Sequence, residues 1–395
     1  TYPKDNGIVR AIGTPLACSL RLLAEELRAL GYQTAAVVAN GAVGREFYFD
    51  QGFDQYVETW KEADDDQKIE VATRPDHVTT LAIETLATLK SDRPYFLWVH
   101  YLDPHFPYRP PKPWRNAFQG DALYNPEPRI VLDRTKPKRV TGAIGYRQIL
   151  DDRDELAFYV ARYDAEIRFT DYEIDRLLGA LRARGDYDRM LTIFTADHGE
   201  SLGDHDYYFD HGMLPFQDVL HVPLAIRYPS AFEPRVDADP VELVHLAPTV
   251  LEYAGAELED GVWAQGRSLV SRLEGRSNGR GTLAFSEAGY GTERRWMYIV
   301  TDGRFKLIWA QRPEDQWRLA GGLGVDRVLY DLASDARETT NVAARFPHEF
   351  EALSRRLSSW HGAPPFAVAR DGPDCKDART TDPETLEQLR ALGYL

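Results

Sequence analysis

The stretch 191–212, LTIFTADHGESLGDHDYYFDHG, constrains this chain most, because an apolar, β-rich run over 191–195 ends abruptly in Asp197 and His198 and a series of further acids and histidines. A strand there delivers the Asp-His pair to its carboxyl end, where open α/β sheets place ligands. Carboxylate oxygen and imidazole nitrogen together suit zinc, manganese or iron, and a carboxylate alone suits calcium or magnesium. The competing reading makes Asp197 a helix N-cap and His198 a surface residue. Context favours the metal reading: His205 and His211 follow within one loop, and a second strand-then-histidine pattern, FLWVHYLDPH, runs from Phe96 to His105.

Periodicity places these strands among helices. Leu20, Leu23, Leu27 and Leu30 recur at helical spacing before Gly31, a C-cap, and 34–38 reads as a buried strand. Asp76 is placed to cap a helix through Leu89, 95–99 is the next strand, and a long amphipathic helix covers 155–184. A strand over 221–227 and a helix over 242–254 follow. This alternation implies an α/β fold, a mainly parallel sheet between helices. After Gly261 the texture turns Gly-, Ser- and Arg-rich. Short strands are expected at 282–286, 295–301, 305–310 and 327–330, with helices at 347–360 and 383–392, forming an α+β appendage. The division expected is a body over 1–260, a linker over 261–281 and a small subdomain over 282–395, itself containing a Pro-, Asp- and Ala-rich linker at 362–381.

Composition narrows the partners. A net charge of −15 with no offsetting basic run argues against a general nucleic-acid or anionic-membrane binder. Two local clusters, Arg109, Lys112 and Arg115, then Arg134, Lys136, Lys138 and Arg139, either attract an anionic substrate or are solvated loops. No run of about 18 apolar residues occurs, so no membrane span is expected. Cys18 and Cys375 stand far apart, and neither a disulfide framework nor a thiolate metal site is expected from them.

Several strings occur in order along the chain: Gly31-Tyr32-Gln33-Thr34-Ala35; His100 to His105 with Asp103-Pro104-His105; Thr195 to His205; His221-Val222-Pro223-Leu224; and Pro248-Thr249-Val250-Leu251 with Ala254-Gly255. Together they resemble the landmarks of the sulfatase branch of the alkaline phosphatase superfamily. Leu329-Tyr330-Asp331-Leu332, with Asp335, Glu338 and Asn341, resembles that family's small C-terminal subdomain. The resemblance covers nearly the whole chain. It implies an alkaline-phosphatase-like fold and hydrolysis of sulfate esters.

The resemblance also implies a site. Asp197 and His198 become metal ligands, His105 donates to a non-bridging oxygen or protonates the leaving group, and His211 stands where many family members aim a lysine at the leaving oxygen. Asn40 and His205 are candidate substrate contacts. For His205 a packing role weighs equally, and for His100 a core role is preferred. One divalent ion is expected, calcium first, with manganese, zinc or magnesium as alternatives, because no histidine has an aspartate four residues before it. A second ion would have to recruit Asp103 or Asp210. The family's nucleophile, a formylglycine, and its paired acidic ligands would lie upstream of Thr1, so the segment is expected to be N-terminally truncated, inactive alone, and to leave a gap in its sheet. Neither Cys18 nor Thr1 matches the nucleophile position.

One departure bears on substrate choice. Where typical sulfatases carry a Lys-Trp-His triplet, this chain has Val38-Ala39-Asn40-Gly41, which removes two cationic donors. A phosphodiester or phosphonate hydrolase, or a phosphoryl transferase, on the same fold is therefore the first alternative, and a non-catalytic binding module the second. A small-molecule or glycan anionic ester is the expected partner. Tyr108, Trp114, Tyr207, Tyr208 and Phe209 either rim the site or pack beneath it. The family resemblance alone favours a periplasmic or secreted location.

Overall fold

Five consecutive side chains, Thr34 to Val38, are buried in strand β1 (Gln33–Val38), as a strand covered on both faces requires. It lies between β2 (Gln55–Glu58) and β3 (Tyr95–His100), parallel to both. The polar member of the run is satisfied locally: Thr34 Oγ1 donates to Gly52 O at 2.7 Å and accepts from Asp54 N–H at 3.0 Å, while Asp54 Oδ2 accepts Thr34 N–H. The computed structural model describes residues 15–18, 20–62, 73–118, 124, 128–257, 265–279, 281–289, 296–311, 325–362 and 381–392. The chain divides into two compact units. This sheet belongs to the unit made of Ala11–Ile130, Gln148–Asp188 and Val368–Leu395.

Helix α1 (Leu23–Ala29) precedes β1, and the chain leaves it through Gly31 at φ +90, the left-handed conformation glycine adopts without strain. Helix α2 (Pro75–Thr88) starts two residues earlier than a cap at Asp76 would place it. Pro75 occupies its first turn, so Arg74 is the N-cap, and Asp76 is not a cap but a first-turn acid bonded by Arg74 Nη2 at 2.6 Å. Helix α3 (Leu156–Arg184) buries Tyr159, Glu166, Phe169, Thr170, Glu173, Leu177 and Leu181, the stripe that three- and four-residue spacing predicts. Past its end, Gly185 takes φ +79. Arg184 reaches across to the carbonyls of Leu86 and Leu89, both at 2.7 Å, satisfying acceptors at the end of α2.

The C-terminal helix Pro383–Ala391 is pinned into the same unit. Gln388, fully buried, accepts Gly41 N–H at 2.7 Å and donates to Ala39 O at 3.2 Å, and Trp60 Nε1 donates to Thr385 Oγ1. Asp382 caps this helix and meets Lys61 at 2.6 Å, whose ammonium also touches Glu46 and Glu58. Cys18 is disulfide-bonded, which corrects the expectation that no disulfide is built from the two distant cysteines. Spacing along the chain could not show it, because loops of any length can close a disulfide. Cys375 lies outside the described residues, as does most of the 362–381 stretch.

The second unit comprises Thr1–Arg10, Val131–Arg147 and Arg189–Ala367. It holds β4 (Leu132–Asp133) paired with β5 (Ile144–Gly145), β6 (Thr192–Thr195) antiparallel to β9 (Leu224–Arg227), and the hairpin of β7 (Ser201–Leu202) and β8 (Tyr208–Asp210). Its helices include α4 (Gln217–Leu220), α5 (Leu246–Tyr253) and α6 (Pro347–Gly362). Strands β10 (Ala284–Gly289), β11 (Trp296–Thr301), β12 (Phe305–Ala310) and β13 (Arg327–Asp331) form an antiparallel sheet in sequence order. Period-two alternation sorts its side chains. Met297, Ile299, Ile308, Ala310, Val328 and Tyr330 pack against Tyr207, Leu214 and Phe216. Tyr298, Val300, Phe305, Leu307 and Leu329 pack with Leu353 and Leu357 of α6. The sheet therefore lies directly against the segment that follows Asp197 and His198.

His245 gives this unit a pH dependence. Its Nδ1 accepts Arg267 N–H at 3.2 Å, so Nε2–H faces Glu242 at 3.4 Å and the ring is neutral. Burial and the charges of Arg267 and Arg272 push it down to about 4. Unfolding returns it to the ordinary 6.5, so the unfolded chain binds more protons between these values. Stability is complete above pH 6.5 and falls as the pH drops towards 4, by on the order of 3 kcal/mol. His245→Gln is expected to flatten that part of a chemical-denaturation profile. An unaltered slope in the variant rules the assignment out.

Candidate functional site

Strand β6 ends at Thr195, and Asp197 and His198 follow at its carboxyl end. The Asp197 side chain is 78% exposed, while His198 is at 36%. Asp197 Oδ1 accepts the backbone N–H of His198 at 3.0 Å, which folds the carboxylate over its neighbour. His198 Nδ1 stands 2.8 Å from Gly199 O. A carbonyl only accepts, so Nδ1 carries a proton and Nε2 is the ring atom turned to Asp197. Nε2 lies 3.6 Å from Asp197 Oδ2. It can meet that carboxylate as an N–H donor or, in the neutral Nδ1–H tautomer, as a lone pair that shares a cation with it.

His211 is brought to this pair. Its ring stacks on that of His198 with centroids 3.7 Å apart and planes at 23°. Its Nδ1 is 3.2 Å from Glu200 Oε1, a carboxylate only 5% exposed, and its N–H donates to Asp210 Oδ1. Burial opposes protonation of His211, but the Glu200 hydrogen bond and the charges of Glu200, Asp210 and Asp197 outweigh it and raise its pKa above the ordinary histidine value. Glu200 is a partner of His211 that pattern reading missed. Its signal was a glutamate in the turn itself, two residues beyond His198.

His205 is placed elsewhere. It has φ +56 in the turn Asp204–Asp206, and its ring lies flat on Phe216 at 3.6 Å and 12°. The aromatic residues after it divide as well: Tyr207 and Phe209 are buried in packing, and only Tyr208 keeps partial exposure. Lys138 of the second basic cluster meets Asp210 at 3.2 Å, and Arg139 meets Asp133 at 3.0 Å.

In the other unit, β3 ends at His100 and leads to Asp103, Pro104 and His105. His105 Nδ1 lies 2.7 Å from Phe106 O, which again fixes the proton on Nδ1. Burial pushes Asp103 up to about 7, against the pull of Arg74 and with help from Asp76. Asn40 is buried, and its Oδ1 accepts Ala42 N–H at 2.9 Å, so its side chain serves as a cap between the two backbone groups held by Gln388. Tyr108 is fully buried and belongs to the packing; Trp114 keeps partial exposure beside Phe169 and Tyr172.

A family model described as Sulfatase matches residues 2–256. The chain belongs to the sulfatase family. A second model, described as N-sulphoglucosamine sulphohydrolase, C-terminal, matches residues 203–359. Among sulfatase relatives, an arylsulfatase of Clostridium perfringens (strain 13 / Type A) is 27% identical over 270 residues, 67% of this chain and 52% of that protein. The chain spans about half the length of the curated sulfatases it matches. A solved structure described as a complex with its substrate D-glucosamine-2-N,6-O-disulfate aligns with TM-score 0.71 at 19% identity, covering 91% of this chain and 85% of that one. A phosphonate monoester hydrolase from Silicibacter pomeroyi aligns at 0.69 and 22%, covering 93% and 85%. These likenesses establish the alkaline-phosphatase-like α/β fold.

The sulfatase family implies a divalent metal, and the Asp197–His198 turn fits part of that requirement. It offers one carboxylate and one imidazole lone pair, and the opposite ring nitrogen is held by a backbone carbonyl, as in metal-bound histidines. These are two donors. Among the described residues no group of three or more His, Cys, Asp or Glu side chains converges. Nor, among them, is any helix long and apolar enough to cross a membrane.

Proposed function

We propose that this chain forms the sulfate-ester-hydrolysing site of a sulfatase, acting on a small or glycan anionic ester with one divalent cation, calcium first. The observation that carries the reading is the approach of Asp197 Oδ2 to His198 Nε2, at 3.6 Å, at a strand's carboxyl end in a chain of this family. A cation held there neutralises charge that develops on the ester oxygens. His211, whose hold on its proton Glu200 strengthens, donates towards the leaving oxygen. His205, stacked on Phe216, is a packing residue in this reading.

The second reading, phosphonate or phosphodiester hydrolysis, is favoured by Val38-Ala39-Asn40-Gly41, which lacks the cationic pair of typical sulfatases, and by the fold shared with a phosphonate monoester hydrolase. The intact protein, assayed with nitrophenyl sulfate and with a nitrophenyl phosphonate monoester, is expected to turn over the sulfate, to lose activity to a chelator and to regain it with calcium. Turnover of the phosphonate alone would move the assignment to the second reading. Inertness towards both would overturn each.

A further inference from the structure

Lys306 is a lysine inside an apolar layer. It shares the parity of Ile308 and Ala310 on β12, so it enters the layer formed with Phe216 and Leu214, where it is fully buried. Its Nζ lies 2.7 Å from Glu338 Oε1, on a side chain 1% exposed, and 6.0 Å from the Phe216 ring. Burial pulls the lysine's pKa down, and the charges of Glu338 and Asp218 oppose that pull. Replacing such a buried pair with well-packed apolar residues is often neutral or stabilising, so packing alone does not account for it.

The second carboxylate oxygen shows what the pair holds. Glu338 Oε2 accepts Gln217 N–H, the first residue of α4, at 2.6 Å. The next residue of α4, Asp218, accepts Ser201 Oγ at 2.6 Å, and Val219 O accepts Gly199 N–H at 2.7 Å. Gly199 O in turn receives the Nδ1 proton of His198. Three short hydrogen bonds, linked by the backbone of α4 and of Gly199, thus join a buried ion pair next to the C-terminal sheet to the imidazole of the candidate metal turn.

We propose that Lys306 and Glu338 are positioning residues for the Asp197–His198 turn: they fix the Glu338 carboxylate on the start of α4, and α4 sets the tautomer and direction of the His198 ring. The consequence for metal binding rests on the functional reading above, whereas the consequence for the His198 ring does not.

Three variants of the intact protein separate the links. Gln217→Pro deletes only the N–H that Glu338 accepts, at a helix position that tolerates proline. Lys306→Met with Glu338→Leu removes the charges and the acceptor, and Lys306→Met with Glu338→Gln removes the charges but keeps an acceptor. Ring-nitrogen chemical shifts of labelled histidine report the His198 tautomer, and calorimetric titration with calcium alone reports the cation. Gln217→Pro and the Leu double variant are expected to lose the single Nδ1–H tautomer and to bind calcium about ten- to a hundredfold more weakly. The Gln double variant is expected to keep both.

An unchanged tautomer in Gln217→Pro overturns the proposal, even if both double variants fail to fold. Equal losses in the two double variants also overturn it, because the acceptor would then be irrelevant. A wild-type protein that hydrolyses no sulfate ester would sink the functional reading while leaving the tautomer result standing.

Discussion

Asp197→Ala in the intact protein is expected to lower metal-dependent sulfate-ester turnover by about a thousandfold or more, since a bound cation supplies several kcal/mol of charge stabilisation and each 1.4 kcal/mol is about tenfold. The same change should barely move thermal unfolding. The Asp197 side chain is mostly exposed, and its backbone bond to the adjacent His198 N–H is local; substitutions of that kind stay within about 0.5 kcal/mol. Asp197→Asn sharpens the result. The amide oxygen still accepts the His198 N–H, so the turn is kept, but the negative charge that faces the His198 lone pair is gone. Both variants should therefore fold, and both should lose calcium binding in a calorimetric titration. Turnover within a few-fold of wild type in Asp197→Asn would show that the carboxylate holds no cation needed for reaction.

The position of this pair was legible in the sequence because a strand declares itself by an apolar run, and the first polar residues after it must lie at its end. The same logic placed β1, β3, α3 and the last three strands of the C-terminal sheet to within a residue or two, while β10 runs three residues beyond the expected end at 286. Local chemistry was less legible where two polar roles compete. Asn40 and His205 have side chains able to meet a substrate, yet Asn40 Oδ1 caps a turn and the His205 ring covers Phe216. Asp76 lost the cap to Arg74 because Pro75 sets the start of α2. Glu338 acts through partners distant in sequence, Gln217 among them, which no local pattern reveals. Lys306 did carry a signal: in Phe305-Lys306-Leu307-Ile308 the lysine falls on a core-facing parity, where a charge requires a buried partner.

Gly199→Ala is expected to damage the second unit and its candidate metal turn together. A Cβ at Gly199 would overlap the Asp218 carbonyl oxygen and stand 3.2 Å from Val219 Cα. Both obstacles are backbone of α4, so neither can rotate away. The turn must retreat, and its retreat stretches the Gly199 N–H to Val219 O bond of 2.7 Å together with the Ser201 to Asp218 bond of 2.6 Å. Losing these two bonds in a buried setting costs about 2–4 kcal/mol at the usual value per bond with its desolvation penalty. Function should fall further than stability does. Gly199 O is the acceptor that holds the His198 Nδ1 proton, so a displaced carbonyl frees the ring to change tautomer and turns its lone pair from Asp197. The expected pattern is a lower denaturation midpoint and, in the fraction that remains folded at low temperature, calcium affinity and sulfate-ester turnover each reduced at least about tenfold, the lower end of what losing a ligand's supporting partner removes. A folded Gly199→Ala protein with wild-type calcium affinity would mean that the backbone behind His198 does not determine where its lone pair points.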